Sequence, residues 1–519
     1  MEPSIHDTLL VYTTALRYTA PEIALVVGVV LTALWNLFSP KSRGATPILA
    51  IIAMAVSSFL LAQQFNIPER VLLFAPGLFT VDKLTVAFGL IANAIGIICV
   101  LMTMSYDYRF GNNRGEYYAI LVAAVLAVCF LAGTSDLIML FVGLETLTIC
   151  CVLMSAFAKR DRKSNEASLK YLLSTAATTA TFLYGLSFLY GMTGSTNYYD
   201  IAPKMATAAQ SPSLVLIFLM VLLISVIGFK LSMVPFHMWT PDVYEGAPTP
   251  VAAFLSVGSK LGGFVVAIRL LTVVFASAAS DWGPVLGALA ILSMIMGNLI
   301  ALAQTSLKRM LAYSSIAHVG YILIGIVANT PESLSALVFY VMVYGFMNLG
   351  AFCGAILFEN EAGTDNIEEM AGLVRKRPWL AAGLGVCLLN LAGLPVPPAG
   401  FLAKVFIFWS GFQMFNSLGY WMIGAALLTS IPAVFYYTRV AIMMFVKEPS
   451  PTVAALPVAG TRRATLYDQR GTRFALVLSI AGIIASTVLV SPMMKFSSMS
   501  IGNITRAASV SVVPGSETR

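Results

Sequence analysis

The chain has 519 residues, of which 58% are hydrophobic and only 11% charged, with a formal net charge of +7. With a mean hydropathy of +0.85, that balance excludes an ordinary soluble domain and marks a polytopic membrane protein. The positive excess needs no nucleic acid as a partner, because the basic residues concentrate in alternate loops.

A hydrocarbon core about 30 Å thick takes roughly 20 apolar helical residues per crossing. Fourteen such spans follow one another at 20–38, 46–64, 80–105, 116–133, 135–157, 167–192, 212–240, 249–276, 284–305, 309–329, 334–358, 380–414, 419–446 and 473–492. Backbone groups in lipid must be satisfied within the segment, and runs this long suit helices rather than the shorter alternating strands of a barrel. The fold class is therefore all-α. Arg17 is the only lysine or arginine before span 1 and no small-residue cleavage pattern follows, so span 1 is expected to stay in the mature chain.

A charge at membrane depth costs at least about 2.5–3.5 kcal/mol and persists only where it is neutralised or used. Five ionisable residues stand out on that ground. Span 5, LIMLFVGLETLTICC, carries Glu145 near mid-membrane. Span 7 ends in GFKLSMVPFHMW, where Lys230 precedes Pro235 and His237. Lys260 lies in AAFLSVGSKLGGFVVAI of span 8, His318 in YSSIAHVGYILIGIV of span 10, and Lys404 in LAGLPVPPAGFLAKVFIFW of span 12. Each also has a structural reading. Lys260 would snorkel, His318 would be a hydrogen-bonded core histidine, and Glu145 with Lys230 would be an ion pair that only fixes helix register. His237 shares a face with Lys230 if the helix continues past Pro235, but it approaches a solvated end.

Proline removes a backbone donor and clashes with the preceding turn, so span 7 should break just beyond Lys230. Span 12 repeats the device with Pro395, Pro397 and Pro398 ahead of Lys404. Its ~35 residues would measure about 52 Å as one helix, too long for an upright crossing unless it unwinds or tilts. The six cysteines, Cys99, Cys129, Cys150, Cys151, Cys353 and Cys387, fall inside spans with no CxxC pair. They read as packed thiols, with no metal site expected in this chain.

Odd-numbered loops hold Lys41, Arg43, Arg109, Arg114, Lys159, Arg160, Arg162, Lys163, Lys308, Arg309, Arg375, Lys376, Arg377, Lys447, Arg462, Arg463, Arg470 and Arg473. Even-numbered loops hold little beyond Arg70, Lys83 and Lys204, so the odd loops are expected on the cytoplasmic side and both termini opposite. Two connections are long: 359–379, with the makings of a short surface helix, and 447–472, which reads as a flexible loop. Spans 5 and 10, like 7 and 12, are five apart, and an odd offset reverses orientation. The expected organisation is thus three leading spans in 1–115, a first five-span unit in 116–276, an inverted second unit in 284–446, and a loop, last span and tail in 447–519.

The stretches GFKLSMVPFHMWTPDVYEGAPTPVAAFLSVGSK (228–260), NLIALAQTSLKRMLAYSSIAHVGY (298–321) and LAGLPVPPAGFLAKVFIFW (391–409) resemble the antiporter-like membrane subunits of respiratory complex I and the related cation/proton antiporters. RKSNEASLKYLL (162–173) and GTDNIEEMAGL (363–373) look most like members of that family from the NAD(P)H-plastoquinone oxidoreductase of cyanobacteria and chloroplasts. The resemblance runs through nearly all fourteen spans. It implies a redox-silent, proton-translocating subunit in which Glu145 and Lys230 form the charge pair of a first half-channel, Lys260 leads to the centre and Lys404 is the terminal carrier. Some family members have glutamate at the Lys404 position, and His318 stands where the family often has a central polar residue.

The resemblance further implies a thylakoid membrane with lumenal termini. The expected partners are further antiporter-like and other membrane subunits, lipids and protons. Plastoquinone, iron-sulfur clusters and NAD(P)H or ferredoxin would be used by other subunits. Two other readings use the same residues: an autonomous cation/proton antiporter, and a scaffold whose buried charges only set helix register.

Overall fold

The computed structural model describes residues 13–39, 44–65, 70–73, 77–106, 110, 114–209, 214–457, 469–502 and 510–512. The basic residues Lys41, Arg43, Arg109, Arg462 and Arg463 lie outside the described residues, as does 458–468 of the second long loop.

The helices begin and end where local chemistry directs. Five correspond to spans 1 to 5: α1 (Ala20–Phe38), α2 (Ala45–Gln64), α3 (Lys83–Met104), α4 (Arg114–Gly133) and α5 (Leu137–Ser155). Asp82 caps α3 by accepting from the Thr85 backbone N–H at 2.9 Å, and Asp136 caps α5 through Ile138 N–H at 2.8 Å. Such caps satisfy helix-end donors and contribute about 1 kcal/mol each. α6 (Arg162–Thr193) runs past its expected ends, from an Asp161 cap to Gly194 at φ +65. After it comes an unanticipated helix, α7 (Tyr198–Ala209).

Span 7 divides into α8 (Leu214–Leu231) and α9 (Trp239–Gly246). The helix stops at Leu231 because Ser232 turns left-handed at φ +64, and the chain passes through turns at 234–238 before the next helix. The break lies where Pro235 predicts it. His237 sits in these turns, so the helix does not continue past Pro235 and the condition for a shared helical face with Lys230 is not met.

Span 8 is α10 (Thr249–Val274), with two π-helical stretches, Leu255–Ser259 and Leu270–Val274. The next three helices are α11 (Ala279–Leu302), α12 (Leu307–Ala328) and α13 (Pro331–Ala362). Span 12 is α14 (Pro378–Ala392) and α15 (Ala399–Phe412), about 22 Å and 21 Å long at 1.5 Å per residue. Gly393, at φ +85, terminates the first half. α16 (Ser417–Phe445), α17 (Arg470–Val488) and α18 (Val490–Ile501) complete the helices labelled here. Among the described residues, thirteen helices are long and apolar enough to span, and α14 with α15 supplies one broken crossing more.

The all-α reading holds for the spans, with one addition. Short strands β1 (Arg70–Leu73), β2 (Phe79–Val81) and β3 (Val510–Val512) pair in the order β2-β1-β3, with Val71 opposite Val81. The 359–379 connection has short helical turns at Glu368–Met370 and Leu373–Lys376. Arg375 clamps Glu448 of the second long loop bidentately at 2.7 and 2.8 Å.

Burial locates the centre of the bundle. The apolar window of α10 is 100% buried and that of α12 94%, against 28% for α1 and α16. The outer helices thus face lipid or other chains, and the helices bearing Lys260 and His318 are sealed inside.

Candidate functional site

Two helix breaks create the environment of two of the lysines. A helix C-terminus leaves carbonyls without partners and carries about half a negative charge, which favours a cation nearby. Lys230 occupies the last turn of α8, so its own helix end favours the ammonium. Lys404 begins on α15 and reaches back to α14, donating from Nζ to the Ala392 carbonyl at 2.8 Å. Gly393 makes room for it, since a Cβ there would lie 2.9 Å from Lys404 Cδ.

Lys230 is buried and donates from Nζ to the Thr148 hydroxyl on α5. Thr148 is three residues, about one turn, beyond Glu145. The Glu145 carboxylate instead accepts from Thr179 Oγ1 on α6 at 2.7 Å, and no Glu145–Lys230 ion pair within 4.0 Å forms. The pair implied by the resemblance is therefore near one stripe of α5 but not closed. Beside Lys230 lies a narrow pocket walled by Leu144, Phe182, Leu223, Val226 and Gly263. Gly263, three residues past Lys260, brings α8 and α10 together, for a Cβ there would meet Leu231 at 2.8 Å.

Lys260 follows the first π-helical stretch directly. Its Nζ donates to Ser315 Oγ on α12 at 2.8 Å. From there α12 presents one face: Ser315, His318 and Tyr321 recur every three residues, as neighbours on a helix surface do. His318 Nδ1 and the Tyr340 hydroxyl share a hydrogen bond at 2.9 Å, and Nε2 lies 3.5 Å from the Tyr437 hydroxyl, which bonds in turn to Ser314. The Lys404 ammonium stands 5.2 Å from the Tyr321 ring centre, a cation–π arrangement. Tyr321 OH accepts from Asn298 Nδ2 at 2.9 Å, and Tyr436 OH donates to Asn298 Oδ1 at 3.2 Å.

The fold thus gathers Lys260, His318 and Lys404 along α12, and holds Lys230 with Glu145 along α5. His237 is in the α8–α9 turns, and Pro235 and Pro395 lie in the two breaks. Sequence reasoning misses Thr148, Ser315, Tyr321, Tyr340, Tyr437 and Asn298. The only signal for the α12 residues is their threefold spacing around His318.

Sequence reasoning also misses four buried ionisable residues. Arg269 at the end of α10 binds Asp82 through Nη1 at 2.8 Å and Nη2 at 2.9 Å, and both side chains are at most 1% exposed. Glu359 accepts from Thr249 Oγ1 at 2.5 Å and Tyr106 OH at 3.4 Å. Glu22 is buried in the first turn of α1. Among the described residues, the six cysteines are free, and no three His, Cys, Asp or Glu side chains gather as a metal site would require.

The family pattern described as NADH:quinone oxidoreductase/Mrp antiporter, TM, matches residues 134–431. NAD(P)H-quinone oxidoreductase subunit 2 of Acaryochloris marina is 42% identical over 488 residues, covering 94% of this chain and 92% of that protein. The protein of the same name from Trichodesmium erythraeum is 43% identical, covering 93% and 92%. Among solved structures, a chain of respiratory complex I from Thermus thermophilus with bound aureothin superposes with a TM-score of 0.73 at 29% identity, over 92% of this chain and 98% of that one. A chain of the Mrp complex from Dietzia sp. DQ12-45-1b has a TM-score of 0.80 at 18% identity, over 94% and 97%, a likeness of fold alone.

Proposed function

The chain belongs to the NADH:quinone oxidoreductase/Mrp antiporter transmembrane family, as a membrane subunit of the NAD(P)H-quinone oxidoreductase subunit 2 kind, and from that premise we propose that its buried lysines and His318 form the proton relay. The observation that carries this reading is the α12 face, where Ser315, His318 and Tyr321 stand between Lys260 and Lys404. Serine and tyrosine hydroxyls both donate and accept, and histidine has two ring nitrogens of opposite role, so the stretch between the two ammonium groups consists of proton-exchanging groups. Buried charges of this cost are retained in membranes mainly where they serve transport.

In this reading Lys230, near Glu145, is the first carrier, Lys260 passes the proton to the centre and Lys404 delivers it. Each elementary charge moved against 100 mV requires about 2.3 kcal/mol. Redox chemistry in other subunits supplies that work, with NAD(P)H or ferredoxin as donor, iron-sulfur clusters as carriers and plastoquinone as acceptor. The spans form two inverted five-helix units, consistent with a broken crossing in each. Both termini face the lumen of a thylakoid or equivalent membrane, as the loop charges and the cyanobacterial relatives favour.

The test is proton uptake per electron in sealed vesicles of the assembled complex, comparing wild type with Lys260→Ala and Lys230→Ala. Intact assembly with a sharp fall in the ratio is expected for both. An unchanged ratio in assembled Lys260→Ala would overturn the relay.

A further inference from the structure

A second site lies at the outer face of the bundle, away from the relay. A groove of about 750 Å³ is lined by residues from the N-terminal halves of α14 and α17. Its walls are apolar, from Val386 on α14 to Leu476 and Ile480 on α17, whereas its rim carries Lys376, Arg377 and Arg473. These two surfaces call for an amphipathic occupant with an anionic head.

The rim charges are not equivalent. Arg377 is committed: Nε binds Glu361 at 2.6 Å and Nη1 donates to the Pro457 carbonyl at 2.9 Å. Lys376 and Arg473 have no carboxylate within 4.0 Å among the described residues; Arg473 donates only to the neutral Gln469 side chain at 3.0 Å. The rim therefore keeps two positive charges that no carboxylate among the described residues neutralises. Two helix N-termini point to the same end, since α14 starts at Pro378 and α17 at Arg470, and their positive ends add to the attraction for an anion. Trp379, 88% exposed in the first turn of α14, sets the level of the membrane surface, where amphipathic rings concentrate.

We propose that this groove binds one anionic phospholipid, its phosphate between Lys376 and Arg473 and its acyl chains along Leu476 and Ile480. Basic pockets between membrane helices at the cytoplasmic level are the setting in which anionic head groups are recognised. Two uncompensated charges correspond to roughly a thirtyfold preference over a zwitterionic lipid of equal chain length. A phosphatidylcholine would fill the apolar walls equally well but leave the two cations without a net countercharge.

The test uses the assembled complex in lipid nanodiscs doped with photoactivatable phosphatidylglycerol or, separately, photoactivatable phosphatidylcholine of the same chains, with labelled peptides mapped by mass spectrometry. Phosphatidylglycerol should label the 379–386 and 476–480 segments at least tenfold more than phosphatidylcholine. The variant Lys376→Gln/Arg473→Gln should bring labelling down to the phosphatidylcholine level, and Lys376→Arg/Arg473→Lys should keep it, with subunit co-purification confirming assembly of both. Equal labelling by the two lipids, unchanged labelling in the glutamine variant, or capture of a neighbouring subunit in the groove would overturn the proposal. Loss of labelling with excess inorganic phosphate alone would also overturn it, by showing a free-anion site without a role for the acyl chains.

Discussion

Replacing Arg269 with methionine tests the most enclosed charge pair among the described residues. The guanidinium makes two bonds to Asp82, donates to the Ala132 carbonyl from Nε at 2.9 Å and Nη2 at 2.6 Å, and donates to Thr85 Oγ1 at 2.9 Å. It therefore ties α10 to the start of α3 and the end of α4. Arg269→Met leaves the Asp82 carboxylate buried without its guanidinium partner, and breaking one side of a buried pair costs about 3–5 kcal/mol. At about 1.4 kcal/mol per decade, the locally open population rises by roughly two to three and a half orders of magnitude. Cys129 is 2% exposed and lies one turn before Ala132, so its alkylation by a membrane-permeant maleimide, read by peptide mass spectrometry on the assembled complex, reports that opening. Adding Asp82→Asn removes the stranded charge and keeps a side chain that caps α3, since Asn and Asp cap about equally well. The double variant should therefore label much more slowly than Arg269→Met alone. Wild-type labelling in Arg269→Met, or no rescue in the double variant, would refute the reasoning.

His318→Gln retains a hydrogen-bonding side chain beside Tyr340 but removes the titratable ring, so proton uptake per electron should fall at normal assembly. Gly393→Ala places a side chain at φ +85, a conformation that costs about 1–2 kcal/mol for a non-glycine residue, and pushes Cβ against Lys404. Turnover in vesicles should drop there while the same substitution at the open, helical Gly191 leaves it unchanged. Arg375 holds the Glu448 carboxyl below its usual range by hydrogen bonding and charge. The clamp is thus fully formed above the ordinary carboxylate range and is lost as pH falls through the lowered value. Hydrogen–deuterium exchange of the 371–377 segment, labelled at each pH of a series and corrected for the intrinsic exchange rate, should rise on the acid side and lose that dependence in Glu448→Gln.

The spans were legible because each carries its own hydropathy, and the two breaks because proline acts locally through its missing N–H and its ring. The point at which each helix resumes was less legible, since it depends on tertiary contacts such as Ser293 Oγ accepting from Val234 N–H at 2.9 Å. The buried lysines announced themselves by their cost, but their partners did not. Thr148 and Ser315 are ordinary residues for a membrane helix until a lysine 82 or 55 positions away is brought against them. Asp82 and Arg269 are 187 residues apart, and nothing local in either segment points to the other.

The hydroxyls beside the lysines also bear on the proposed relay. Thr148 accepts from Lys230 while donating to its own helix at Leu144 O, 2.6 Å away; Ser315 accepts from Lys260 while donating to Ala312 O at 2.7 Å. Each hydroxyl therefore has its proton turned back into the backbone, a bond typical of serine and threonine within helices. In this arrangement the hydroxyls hold the lysine protons and do not pass them on. Passage requires the hydroxyl to rotate away from its carbonyl, at a net cost of about 0.5–1.5 kcal/mol per hydrogen bond. That is less than the ~2.3 kcal/mol needed to move one charge against 100 mV. On the proposed relay, the coupling energy therefore goes mainly into displacing charge, with Lys230 and the open Glu145 pair as the element to be shifted.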